Sequence, residues 1–166
     1  MVVCHVEHPL QQRPDRLDAC PSFTPAIIER LYRSGYADEA EQLFRRLRWL
    51  ADSMPYWGDS QRADIPGYCL NTPLQCDIEG ATIAQAFLFG MFGVRIRKDF
   101  SIEVTPHLPK DANRMELSNL RLLGKVLRVV CTRQDGVTVR IAGKNWHCTN
   151  GETILIPTGG QASSLL

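Results

Sequence analysis

No stretch of this 166-residue chain is long and apolar enough to resemble a membrane span. The opening residues MVVCHVEHPLQQRPDR also lack the basic start and long apolar run of a secretory signal, so the expected location is cytoplasmic, with no membrane partner. An excess of charge of either sign is missing too. The 19 Lys and Arg stand against 18 Asp and Glu, a net +1, which leaves no general pull toward nucleic acid. The run Phe44, Arg45, Arg46, Leu47, Arg48 then reads as the solvated face of a helix rather than a phosphate-binding patch. Cys4, Cys20, Cys69, Cys76, Cys131 and Cys148 are widely spaced, without a C-x-x-C pair. That spacing argues against a disulfide framework and fits no usual zinc site, even with His5 and His8 beside Cys4, so all six are read as free thiols and no metal is expected. Cys76 has no histidine near it in sequence, so a thiol nucleophile is not marked either, and no cofactor is expected.

What remains is an ordinary globular composition, 44% hydrophobic and 22% charged, enough for a domain with a proper core. After an irregular opening arm, Thr24 supplies a capping residue and Pro25 a first helical position, and Gly35 a left-handed stop, predicting a helix from about Pro25 to Ser34. Asp38 and Glu41 have the spacing of a capping-box variant. Leu43, Phe44, Leu47 and Leu50 then recur at helical spacing until Pro55, so the two helices fold back as an antiparallel hairpin.

Met54 to Cys76 has three prolines, two glycines and no sustained period, and reads as one long loop. It carries Tyr56, Trp57, Asp59, Arg62, Asp64, Tyr68 and Gln75. Aromatic faces mixed with carboxylates suit a ligand with apolar faces and hydroxyl edges, although loop aromatics also serve simply to pack a loop down. The next segment, PLQCDIEGATIAQAFLFGMFGV, predicts a helix stopped by Gly93 and apolar on almost every face. A helix of that kind sits inside something, and the few helices of this chain are too few to surround it, so the chain reads as part of a larger structure. Beyond Val94 the pattern changes. Ser101–Thr105, Met115–Leu123, Lys125–Thr132, Val137–Ile141 and Thr153–Ile156 are short Val-, Ile- and Leu-rich runs separated by turn signals, predicting an antiparallel β module of about five strands. The fold class is therefore α+β, with a helical unit over 1–94, a β module over 95–158 and a frayed tail over 159–166.

Order and motifs together resemble the C-terminal part of bacterial six-hairpin, (α/α)6-toroid glycoside hydrolases, such as the α-L-fucosidase and α-L-rhamnosidase families. The residues that carry the resemblance are MPYWGDS leaving a helix, TPLQCDIEGATIAQAFLFGMFGV, IEVTPHLP and NLRLLGKVLRV, over roughly residues 22–140. The resemblance implies a C-terminal fragment or subunit of a glycoside hydrolase, acting on O-glycosidic bonds and inactive or nearly so alone. Its expected partners are a carbohydrate substrate and either the rest of the barrel or a second copy, met through exposed apolar surface. Asp77 matches the aspartate after P-L-Q that the fucosidase-like branch associates with the general base, with Glu79 and Asp59 as further catalytic candidates. Tyr56, Trp57, Arg62, Tyr68 and Gln75 are the substrate-binding candidates.

Glycoside hydrolysis usually needs two carboxyl groups flanking the scissile bond, and two residues two positions apart point in divergent directions, so at most one of Asp77 and Glu79 is expected to act. The general acid has no match here. For each acid the alternative is a partner to the unsatisfied amides of the helix start. The alternative for the whole chain is a non-catalytic carbohydrate-binding or structural module. His107, between two prolines, reads as structural, and His5 and His8 as surface residues or as a border of the cleft.

Overall fold

Proline in the first turn and a left-handed glycine after the last set the limits of the first helix. In the computed structural model, which describes residues 18–19, 23–53, 61–62, 67 and 77–158, α1 spans Thr24–Arg33. Gly35 takes φ +85°, and the Ser34, Gly35 and Tyr36 amides return to carbonyls of the last turn. Thr24 is not the cap expected of it. It lies inside the first turn, 2% exposed, and its hydroxyl has no partner among the described residues, while Phe23 takes the flanking position with helical backbone angles. The second helix, α2, spans Ala37–Ser53 and folds back against α1 as the predicted hairpin.

Two short strands, β1 (Asp18–Ala19) and β2 (Gln61–Arg62), pair antiparallel, with Asp18 opposite Arg62. The opening arm and the long loop, both read as irregular, therefore meet at one bridge.

The third helix, α3, spans Asp77–Gln85 and runs on as a π-helical segment, Ala86–Met91. The wider turn falls where the chain crosses α1. A Cβ on Gly90 would lie 2.9 Å from the Glu29 Cα and 3.3 Å from the Tyr32 ring, so only glycine lets the two backbones approach this closely. Phe87 meets Phe44 of α2 edge to face, ring centroids 4.5 Å apart. Burial along α3 is uneven. Ala86 and Gly90 to Val94 are buried, whereas Ala81, Ala84, Gln85 and Phe89 are exposed, Phe89 by 39%. Among the described residues the all-round apolar helix is buried at its C-terminal end and along one side, with those four residues exposed.

Two antiparallel sheets follow. β3 (Arg95–Ile96), β4 (Ile102–Val104) and β9 (Ile154–Ile156) form one in the order β3-β4-β9. β5 (Arg114–Leu122), β6 (Lys125–Thr132), β7 (Gly136–Ile141) and β8 (Lys144–Cys148) form the other as a meander. Alternation sends Ile102, Val104, Ile154 and Ile156 from the first, and Leu127, Val129, Cys131, Val137, Val139 and Ile141 from the second, into one buried cluster that also includes Ile28, Tyr32, Met91 and Phe92. Leu123–Gly124 and Ala142–Gly143 each place two consecutive residues at positive φ, the two-residue turn that suits the right-handed twist of a hairpin. The α+β class and the predicted strands are present. β3 and β8 are additional to the about five expected.

Candidate functional site

Asp77 is the first residue of α3 and Glu79 the third, so both stand in the first turn, where backbone amides lack helical partners. At 3.6 residues per turn they are about 200° apart around the axis, which keeps them from forming a facing pair. Arg62 lies on β2, paired with Asp18. Tyr56, Trp57, Asp59, Tyr68 and Gln75 lie outside the described residues, as do His5, His8, Cys4, Cys20, Cys69, Cys76 and the 159–166 tail.

Downstream, the geometry that holds α3 is dense. Gly93 takes φ +58°, and a Cβ there would fall 2.2 Å from the Thr105 carbonyl oxygen. The Thr105 amide donates to Gly93 O at 3.2 Å and the His107 amide to Met91 O at 2.8 Å, so the free carbonyls at the end of the helix are satisfied by the chain leaving β4. The His107 ring stacks on Tyr32 at 6.5 Å, and burial together with the neighbouring Arg95 guanidinium holds its pKa below the usual value. His107 thus packs the seam between hairpin and sheets, as its reading from the sequence had it. Asn150 continues the seam, its side chain accepting from the Leu108 amide at 2.6 Å and donating to the Leu108 carbonyl at 3.3 Å.

The seam continues into a charged cluster that the sequence did not mark. Asp38 Oδ1 accepts the Lys110 amide at 2.9 Å, and its Oδ2 lies 2.8 Å from the Lys110 ammonium. These bonds to Lys110 hold the Asp38 carboxyl below the usual aspartate range and raise the lysine. Arg45 bridges Glu41 at 3.0 Å and also Asp111, while the Tyr32 hydroxyl donates to Glu41 at 3.2 Å. Burial, and then the adjacent Glu41 carboxylate, push the Tyr32 phenol well above its ordinary pKa. Arg133 donates to the carbonyls of Pro109, Lys110 and Ala112, closing the loop on the sandwich side. The resulting open cleft of ≈260 Å³ is lined by Asp38, Glu41, Gln42, Arg45, Lys110 and Asp111. Four of its five charged groups, Asp38, Arg45, Lys110 and Asp111, already have a partner of opposite sign across the α2–loop joint, and Glu41 is bonded to Arg45 within α2. Its chemistry is that of a clamp between α2 and the β4–β5 connection. Asp38 and Glu41 are accordingly not the capping box predicted for them.

No protein-family model and no curated protein matches the sequence. A solved structure titled "Sialidase" is similar in fold, with a TM-score of 0.55 and 20% identity. The likeness covers 74% of this chain and 12% of that one, so the chain spans a small part of its neighbour's length. At that identity the shared property is the fold: helices passing into antiparallel sheets. Among the described residues there is no group of His, Cys, Asp and Glu able to hold a metal, and no helix long and apolar enough to cross a membrane.

Proposed function

We propose that this chain supplies one wall of the sugar cleft in a six-hairpin-type glycoside hydrolase, braced by its β module, with Asp77 as the candidate general base and Glu79 and Asp59 in reserve. The observation that carries the reading is the stripe Ala81, Ala84, Gln85, Leu88 and Phe89. It recurs at helical spacing along α3, is almost entirely apolar, and is exposed except at the half-covered Leu88. An apolar stripe of this kind is what a helix presents to neighbours, and those neighbours are further helical hairpins, in the same or another polypeptide. The likeness to a small part of a protein titled sialidase, itself a name for a glycoside-cleaving enzyme, supports the same direction. The acids at the start of α3 and the aromatic loop before it supply the carbohydrate chemistry.

The test is saturation-transfer NMR of the full chain with a panel of aryl glycosides, beside an assay of their hydrolysis. At least one glycoside is expected to bind, more weakly to Trp57→Ala, with no turnover by the chain alone. A chain that binds none of them, or that hydrolyses them unaided at the rate of a whole enzyme, overturns the proposal.

A further inference from the structure

The outer face of the β5–β8 sheet carries an unbalanced row of arginines. Register puts Arg128 directly opposite Arg140, and Arg121 opposite Val126, one diagonal step from Arg128. Directly opposed residues on a sheet face have Cβ atoms about 5 Å apart and diagonal ones about 7–8 Å, so three guanidinium groups share one small area. Like charges facing each other across a ladder destabilise it. One carboxylate answers them: Glu116 accepts from Arg128 at 2.8 Å and also pairs with Arg114. Arg121 and Arg140 have no ion pair among the described residues, and both are exposed. Counting Arg114, Arg121, Arg128 and Arg140 against Glu116, this face is +3 in a chain whose net charge is +1.

The face also carries side chains that can bond hydroxyl groups. Thr138 and Asn145 lie on it, opposite His147 and Arg140 respectively, and the Thr138 hydroxyl is 3.1 Å from His147 Nδ1. Apart from that imidazole, no aromatic ring stands on this face among the described residues, because Trp146 alternates toward the other side opposite Val139. A single-stranded nucleic acid needs a row of stacking platforms, and this surface offers only that one imidazole among the described residues.

We infer that this face binds an anionic polysaccharide, its carboxylate or sulfate groups held by Arg121 and Arg140 and its hydroxyls by the neighbouring amide and hydroxyl side chains. Guanidinium groups give two parallel donors to each such anion, and on an open face they do so without burying a charge. The choice of a glycan over an acidic protein rests on the proposed function, whereas the anion-binding geometry does not. The surface is separate from Asp77 and makes no use of it.

The test is affinity electrophoresis of the full chain through gels containing dextran sulfate, polygalacturonate or neutral dextran, with a single-stranded oligothymidylate in a parallel binding assay. Retardation by both charged polymers but not by neutral dextran is expected, weakening as salt is raised. The Arg121→Gln/Arg140→Gln double variant, whose side chains make no ion pairs to lose, is expected to bind about tenfold or more weakly with an unchanged circular dichroism spectrum. Asp77→Asn is expected to bind like the parent, so failure of this inference and failure of the cleft reading are separable. No retardation by either charged polymer, equal retardation of the folded double variant, or tighter binding of the oligonucleotide at the same salt overturns it.

Discussion

Asp38 holds Lys110 twice, its two carboxylate oxygens taking the main-chain amide at 2.9 Å and the side-chain ammonium at 2.8 Å across 72 residues of sequence. This one side chain ties the first turn of α2 to the connection that leaves the β4 strand, and its ionisation is therefore linked to the joint.

Because the folded state keeps Asp38 below its ordinary value of 3.8, its contribution is complete above that pH and is lost as the pH falls through the lower folded value. Glu116, Asp99 and Glu152 shift the same way. Thermal melts taken from neutral pH down to about pH 2 should show an acid loss of Tm that is smaller in Asp38→Asn than in the parent. Identical acid profiles for the two proteins would show that the contact is without consequence for stability.

Tyr32 behaves in the opposite sense. Its folded pKa lies above the ordinary 10.0, so the folded state retains the proton that the unfolded chain gives up, and stability falls as the pH rises past 10.0. Tyr32→Phe should melt less steeply with pH on the alkaline side, at a cost near neutrality of about 1 kcal/mol for the lost bond to Glu41. A spectrophotometric titration in which every tyrosine ionises at its ordinary value in the folded protein would refute the shift.

Two glycines on either side of the helix end should respond unequally to alanine. At Gly90 the new methyl meets the α1 backbone, an overpacking cost of about 1–3 kcal/mol, partly offset by the helix preference of alanine, about 1 kcal/mol. At Gly93 the methyl would sit 2.2 Å from Thr105 O with φ at +58°, so strain adds to collision and the loss is larger. Urea denaturation of both variants reads the order, and a Gly93→Ala protein as stable as the parent would contradict the geometry.

Arg133 gathers three carbonyls of the 109–112 loop. Arg133→Gln should cost about 1–2 kcal/mol, the exposed setting reducing the usual worth of bonds to a charged donor. Hydrogen exchange should quicken at the amides that the loop positions, Lys110 and Ala112, while Leu127 and Val129 in the sheet stay protected. Unaltered exchange in the loop would mean that the three bonds are dispensable.

The strands were legible because Val, Ile and Leu alternate along them and because Gly124 and Asp135–Gly136 mark their turns. β8 was not, since KNWHC has no β-branched residue and its pairing depends on β7. Helix ends at Gly35 and Gly93 were readable from one residue each, whereas the partners of Asp38 and Glu41 were hidden by local spacing. First-turn acids look alike whether they cap their own helix or reach a lysine 72 residues on. For the site, the sequence placed Asp77 and Glu79 correctly at a helix start, but it carried no sign of the seam that positions the helix. That seam consists of main-chain bonds from Thr105 and His107, which any residue but proline can make.

The stitching of Met91 and Gly93 to the chain after β4 anchors the C-terminal end of α3 to the sheets. Asp77 stands 14 residues from Met91, about 20 Å along the axis at 1.5 Å per residue. A tilt of about 5° at the Met91 end carries the start of α3 by about 2 Å, and on the role proposed for Asp77 a misplacement of about 1 Å would cost about 100-fold in rate. On that proposal, the main-chain bonds from Thr105 and His107 help to aim an acid at the other end of the helix.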